Sequence, residues 1–524
     1  MRKVYLGLLC LIMGVIATAQ TSLAFYNLGD ATYQNSSLNP AWMPDGRVFV
    51  GLPVISGVHV HVNNKFSYNQ GIKKEGDNNV LSIGSIISNL QANNLFSTQA
   101  NVSLFHLGYH IPNGPAVSIF ANERVESDFL YPRQFAEFIW EGNGNKLSEE
   151  IDLGGVGLNI SHFREIGIGI AHRVSPELRV GARLKMYQGV LNASTPRNMA
   201  ITTEVNSQTY AWDVETKNAA FRTSGVGILR DGDYAKHMMS PGNKGFGIDL
   251  GFEYNINKYI SFAASVVDFG YISWKTDVQN KNFVDTTFTY SGVNIKGITN
   301  YQQAIQDSLF NKFRTTQNSD TYTTWMPTKL YGSMTWKYNS NTHFVTTVGA
   351  RYIHGQMKML YGGGIRQYMG PMVLSLNGVK LPQQFFNVGA ALAVRGGPVQ
   401  YYIAADQLIN FSVPDARAFD FRMGLNIIIG RSAATGPQSN GGATSFDESR
   451  LKQGDNKGVT TNSFLGKKVK TKRSEGIYSV ISKQEKREVP DSVKPSRTSK
   501  KSKSKIRTSK KSTQKYPSKR RRRN

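Results

Sequence analysis

The chain has 524 residues, with 62 Lys and Arg against 36 Asp and Glu, a formal net charge of +26 and one cysteine. After the first residues no apolar run reaches the about 20 residues that a membrane-crossing helix needs, which excludes a helical membrane protein. The cysteine, Cys10, lies in the first apolar run. A mature chain without that run holds none, which excludes disulfides and cysteine-based metal or redox chemistry.

Residues 1–19 read as a secretory signal peptide. Arg2 and Lys3 form a charged start, Val4 to Ile16 is apolar, and Ala17-Thr18-Ala19 is a small-x-small cleavage site. An uncleaved anchor is the alternative, for which the apolar run is short. Cys10 follows Leu8-Leu9 with no small residue before it, unlike a lipoprotein signal. An exported chain without spanning helices is periplasmic, secreted, or a β-barrel of the outer membrane. Only helices and closed barrels satisfy their backbone polar groups in lipid. The 50 Gly, 27 Phe, 24 Tyr and 6 Trp suit curved strands and interfacial aromatic girdles, although a secreted β-sandwich array would share them.

Residues 20–46 are polar and irregular, with turn signals at Asn39-Pro40 and Pro44-Asp45-Gly46. From Arg47 alternation begins, with Val48, Val50, Leu52, Val54, Val58, Val60 and Val62 on one face. Further strands are expected over 101–111, 115–125, 154–163, 165–174, 178–193, 245–254, 259–274, 327–339, 343–353, 356–368, 371–379, 385–395, 399–408 and 418–429. The last is the clearest. Phe419, Phe421, Met423, Leu425, Ile427 and Ile429 point one way, and Ala418, Asp420, Arg422, Gly424, Asn426 and Ile428 the other. Short turns such as Ser175-Pro176-Glu177 and Gly396-Gly397-Pro398 give the hairpin meander of an up-and-down barrel. Fifteen candidates sit badly with the even strand numbers of single-chain bacterial barrels, and fourteen is the expected count. Four long connections, roughly 63–98, 126–152, 194–244 and 275–326, are assigned to the cell exterior, one of them free to fold into the lumen. Tyr301 to Phe313 has helical spacing.

After Gly430 the composition changes. Residues 431–524 carry 27 Lys and Arg against 7 Asp and Glu, and end in Lys519-Arg520-Arg521-Arg522-Arg523 before Asn524. A segment with so little apolar surface is expected to be disordered. The organisation is therefore a signal peptide over 1–19, an all-β outer-membrane barrel with a short plug-like N-terminal segment over 20–430, and a cationic periplasmic tail over 431–524. Behind a leader the tail meets no nucleic acid. Its expected contacts are anionic lipid headgroups, peptidoglycan and acidic periplasmic proteins, and a solubilising extension without a partner is the plainer reading.

Asn27-Leu28-Gly29-Asp30 and, above all, Asn39-Pro40-Ala41 just before the first strand of a Gly-rich barrel resemble the FadL/PorV superfamily of fourteen-stranded outer-membrane barrels. Residues 20–430 resemble most closely a branch common in Bacteroidota that is described only as a domain of unknown function. The FadL side of the resemblance implies passage of a small hydrophobic solute across the outer membrane. The PorV side implies an accessory or scaffold of an envelope machine, tethered by the basic tail.

His59 and His61 share the lumen face of the first strand, and His106 and His110 share the polar face of the second. Neutral imidazole is a common metal ligand, so these four are candidate ligands, set against scattered polar filling of a lumen. Glu123, Arg124, Glu126 and Asp128 read as solvated rim charges at the end of the third strand. Near His106 they would otherwise resemble the Asp and His pairs of barrel proteases. No nucleophile elbow, HExxH or Ser-His-Asp arrangement is readable, and no enzyme activity or cofactor is expected. Gly154-Gly155-Val156-Gly157 and Gly362-Gly363-Gly364 lack the spacing of phosphate loops and read as bends.

Overall fold

A strand that alternates apolar and polar residues can satisfy both faces when one meets lipid and the other a lumen. Its backbone is satisfied on both edges when the sheet closes. The computed structural model has this arrangement. It describes residues 23–430, apart from 45, 77, 113, 142–145, 232–233, 240, 292–313, 381–385 and 409–416. These residues lie in one of the chain's two units, Met1–Lys472. The signal peptide, the helical spacing at 301–313 and the basic tail, with Lys519 to Arg523, fall outside the described residues.

Fourteen antiparallel strands form the wall. In chain order they are β1 (Val48–Gly51, resuming as Val58–Asn63), β2 (Asn93–His110), β3 (Ala116–Pro132), β4 (Gly157–Arg173), β5 (Leu178–Ser194), β6 (Asn243–Asn255) and β7 (Ile260–Trp274). They continue with β8 (Lys329–Lys337), β9 (Thr342–Ile353), β10 (Gln356–Met369), β11 (Met372–Lys380), β12 (Phe386–Gly396), β13 (Val399–Ala405) and β14 (Ala418–Ile429). Each pairs with its neighbour in sequence. The barrel closes where β1 pairs with β14, Val48 opposite Ile429 and His61 opposite Asp420.

The candidates 154–163 and 165–174 are one strand, β4, which accounts for the fifteenth. The strand leaves the apolar belt within its length. Ile168 and Ile170 are outward and exposed, but His162 and Arg164 on the same face bond Glu123 at 2.7 and 2.9 Å. The outer face turns polar while the ladder with β3 continues unbroken. β2 and β3 likewise run well past the expected ends, to Asn93 and Pro132.

Every connection at one end of the barrel is short. At the other end lie 64–92, 133–156, 195–242 and 275–328, so the four long connections share one end. They carry a separate four-stranded sheet, Glu150–Asp152, Ala200–Val205, Trp212–Lys217 and Thr286–Tyr290.

Outward residues form the belt that lipid must cover. Near the turn end Tyr109, Tyr254, Trp336, Tyr338 and Phe344 are exposed; toward the loop end Phe246, Phe269, Tyr271 and Trp325 are. Trp336 stacks on Phe344 at 5.3 Å, and Trp325 lies 5.8 Å from Tyr271. From Tyr254 to Phe246 the strand runs about 26 Å, which at the about 35–45° tilt of such barrels is about 18–21 Å of height, within their about 25 Å apolar band.

Candidate functional site in the plugged lumen

Within the stretch that reads as irregular polar sequence, residues 23–44 are the most buried segment among the described residues. Leu23 through Leu28 are 0 % exposed. The segment fills the lumen from near the loop end to the turn end, where Arg47 joins the wall. At its upper end the Asp406 carboxylate, just past β13, accepts from the Leu23 and Ala24 amides at 2.5 and 2.8 Å. Asn27 bonds Asn377 and Thr347, and its carbonyl accepts from Arg366. Lower down Arg179 pairs with Asp30 at 2.8 Å, and Gln400 donates to the Ala31 carbonyl at 2.6 Å. Gln34 exchanges bonds with Asn426 and donates to the Ser56 carbonyl at 2.6 Å. Ser56 belongs to 52–57, where β1 is interrupted. Leu52, Val54 and Ile55 face outward while Ser56 is fully buried inward.

The Asn39-Pro40-Ala41 motif has a built seat. The Asn39 side chain accepts from the Ala41 amide at 3.0 Å and donates to the Phe252 carbonyl of β6 at 3.2 Å. Ser265 of β7 holds the Leu38 carbonyl. Beneath the motif two glycines face each other across β5 and β6, Gly181 opposite Gly251. A Cβ at Gly251 would overlap the Asn39 amide oxygen and lie 2.8 Å from Pro40 Cδ. A Cβ at Gly181 would overlap the Pro40 carbonyl and lie 2.5 Å from the Ala41 nitrogen. The pair makes a notch in the wall into which the plug backbone fits.

Beside and above the plug the lumen is ionic. Asp268 is the hub. It has φ +61, in the left-handed region, at a β-bulge where the register of β6 and β7 shifts. Asp tolerates that conformation better than most residues, and the bulge turns its carboxylate into the lumen. Arg124 meets it through two bonds of 2.9 and 2.8 Å, Lys185 at 2.7 Å and Lys329 at 3.0 Å. Glu165 pairs with Arg124, Arg183 and Lys185, and Asp249 with Lys185 at 2.7 Å. Arg351 pairs with Asp128 at 2.8 Å and with Glu126 at 3.4 Å. Five cations thus face five carboxylates, and the cluster is neutral as a whole. Arg124, Glu126 and Asp128, expected as solvated rim charges, are instead 6 %, 3 % and 1 % exposed. The correction follows from the length of β3, which places them below its loop end. Only Glu123, on the outer face with His162 and Arg164, sits in a more open site.

The gaps left between plug and wall are small, about 50 Å³ each for the two lined by His59 and Arg422. A larger cavity of about 220 Å³ opens at the loop end, lined by Asp128, Arg197, Arg222, Tyr322, Trp325 and Tyr352 among others. Arg197 lies over the Tyr352 ring at 5.5 Å and Arg222 over the Tyr322 ring at 5.9 Å.

The four candidate histidines do not converge. His59 and His61 both bond Asp420 Oδ2, at 2.9 and 3.1 Å. His106 stacks on Tyr33 of the plug at 4.1 Å, and His110 bonds the Gly46 carbonyl at 2.6 Å. The register explains the split: His106 sits opposite Gly51, across the break in β1 from His59 and His61. Sequence reasoning placed Asp420 on the lumen face without joining it to the histidines, and missed Asp268, Gly181 and Gly251. One signal for Asp268 was present. Val266-Val267 sets two apolar residues side by side and breaks the alternation just before it.

Among solved structures the chain is similar to the Pseudomonas putida toluene transporter TodX, at 10% identity over 79% of this chain and 97% of that one, TM-score 0.35. It is also similar to the Ralstonia pickettii toluene transporter TbuX, at 12% identity over 75% and 91%, TM-score 0.33. A Pseudomonas aeruginosa FadL homologue matches at 8% identity over 78% and 97%, TM-score 0.35. No curated protein matches. A family model matches residues 40–406, from the proline of the plug motif to the carboxylate that holds the plug's upper end, and the chain belongs to the Family of unknown function (DUF5723).

Proposed function

We propose that the protein is an outer-membrane barrel that passes a small solute past its own N-terminal plug, with the long connections facing outward. The observation that carries this reading is the nature of the obstruction. It is one continuous segment, joined to the wall covalently at its Arg47 end and otherwise held by side-chain bonds and by apolar packing, Phe25 against Tyr402 and Tyr26 against Tyr331. Such a segment can shift without opening the fourteen-stranded ladder. The loop-end cavity is the entry site. Its aromatic rings and two guanidinium groups suit a small aromatic or amphipathic solute with an anionic group. The hydrophobic solute implied by the FadL resemblance meets these rings first, and the ionic lumen beneath is a barrier that plug movement must bypass.

A reversible lock tests this. A Cβ at Gly389 would lie 3.1 Å from Ala24 Cβ and 2.6 Å from Asp406 Oδ1, so a disulfide, whose Cβ atoms stand about 3.5–4.5 Å apart, forms with a small outward adjustment of the two backbones and of the Asp406 side chain. The Ala24→Cys, Gly389→Cys variant in proteoliposomes is expected to lose flux of small aromatic carboxylates on oxidation and regain it on reduction. Equal flux in both states refutes passage by plug movement.

The filled lumen favours a second reading, a scaffold of an envelope machine held through the basic tail to peptidoglycan or an acidic periplasmic partner. This reading expects no flux in any state. Deleting residues 431–524 would then leave a folded barrel with weakened, salt-sensitive association, since screening shortens to about 3 Å at 1 M salt.

A further inference from the structure

We propose that His59, His61 and Asp420 form a divalent-cation site that clips the first and last strands of the barrel together. The three sit on the lumen face of the closure seam. His61 and Asp420 are direct register partners across β1 and β14, and His59 is two residues along the same face. All are nearly inaccessible, at 7 %, 0 % and 2 % exposure. One ligand atom from each lies within 4.8 Å of the others.

The metal-free arrangement leaves a carboxylate oxygen unmet. Both imidazoles address Asp420 Oδ2, while Asp420 Oδ1 has no hydrogen-bond partner; His61 Nε2 lacks one too, in either tautomer. An unmet polar atom at this burial is costly. The donor set is that of open zinc sites, two imidazoles and a carboxylate with a position left for water. A gap of about 50 Å³ lined by His59 and Arg422 lies beside the site. The spacing also fits. Tetrahedral bonds of about 2.0–2.1 Å place ligand atoms about 3.3 Å apart, and the present separations to Asp420 are 2.9 and 3.1 Å.

Binding needs only a tautomer change. His59 would carry its proton on Nδ1 and His61 on Nε2, freeing the nitrogens that face Asp420, so two neutral imidazoles stay neutral and no proton is lost. The cations that oppose binding are Arg422, in register with His59, and Arg351 and Lys329, which also act on His61. The Arg422 guanidinium lies over the Phe25 ring at 5.2 Å. Lys329 and Arg351 are balanced by Glu126, Asp128 and Asp268. The inference concerns the wall alone and does not depend on solute passage.

The test uses the untagged full chain in detergent, stripped with a chelator and titrated with Zn²⁺ alone. One equivalent is expected to bind, with a rise in the temperature at which the barrel loses its folded gel mobility. His61→Gln and Asp420→Asn are expected to weaken binding by at least the about 10–100-fold that loss of an outer-shell partner costs. Substitution in a seam can prevent folding, so Co²⁺ added to the unmodified chain is a second measurement. Its visible spectrum should report imidazole and carboxylate ligation. An unmodified chain that binds no Zn²⁺, a Co²⁺ spectrum without imidazole, or a folded His59→Gln, His61→Gln variant that keeps its equivalent each overturns the proposal.

Discussion

Filling the glycine notch is the sharpest way to separate the plug from the wall. Gly251→Val adds a Cβ that overlaps the Asn39 amide oxygen and lies 2.8 Å from Pro40 Cδ. Comfortable carbon contacts are about 3.5–4 Å, so Pro40 must retreat by roughly 1 Å, and Asn39 by more. Neither can swing aside as a flexible side chain would. Asn39 is tied to the Ala41 amide and the Phe252 carbonyl, and Pro40 is backbone-constrained. Overpacking of this kind costs about 1–3 kcal/mol, and each bond broken as the motif leaves adds about 1 kcal/mol. The total, about 3–5 kcal/mol, falls on the plug and not on the ladder, because the valine side chain projects into the lumen.

The expected outcome is a barrel that assembles and shows normal folded gel mobility, but with a displaced plug. In planar bilayers it should give frequent open events where the unmodified chain gives few, and cells should become more sensitive to large antibiotics. Gly251→Ala should show the same effect more weakly. A folded Gly251→Val protein with unmodified conductance would refute the claim that the Asn39-Pro40 seat holds the lumen shut.

Asp268→Asn removes the anion shared by Arg124, Lys185 and Lys329, and is expected to lower stability by about 3–5 kcal/mol in thermal melts; adding Lys185→Met should restore part of it, and independent losses would contradict the hub. Leu250→Arg, outward and midway between the two aromatic girdles, should cost about 2–4 kcal/mol and reduce the folded fraction on gels, whereas Leu250→Phe should not. Asn426→Arg is expected to disturb the plug although the residue faces the lumen, because its amide is bonded to Gln34 and Gln400; unchanged plug protection in hydrogen exchange would contradict this.

The wall was legible because period-two alternation is a local property. In β14 each residue's face, from Ala418 to Ile429, follows from its parity alone. The strand count was obscured where that rule meets a boundary that the sequence does not mark. β4 crosses from lipid to water near Arg164, and its outer face changes character without any break in the backbone ladder. A reader of residues sees two strands where hydrogen bonding sees one. The loop-end parts of β2 and β3 were hidden because alternation fails there, with Leu95-Phe96 and Phe129-Leu130-Tyr131 setting apolar residues side by side.

The site was far less legible, because it is made of non-local complementarity. Leu23 to Leu28 are a short apolar run without strand or helix length in otherwise polar sequence, and only the surrounding barrel makes them a core. Asn39-Pro40-Ala41 was visible as a motif, but its meaning lies some 140 and 210 residues away in Gly181 and Gly251. Two unremarkable strand glycines become a notch only when β5 and β6 bring them opposite each other. Charge behaves likewise. Glu126 and Asp128 look solvated along the chain, since a buried carboxylate is affordable only beside partners such as Arg351 and Lys329, more than 200 residues on. A lumen filled this way requires its plug and its ionic cluster to form together, because Arg183 pairs with Glu165 and also donates to the Ser36 carbonyl of the plug. A change in the ionic cluster should therefore be felt at the plug, and a shift of the plug at the cluster, which is the coupling that a gate in this barrel would need.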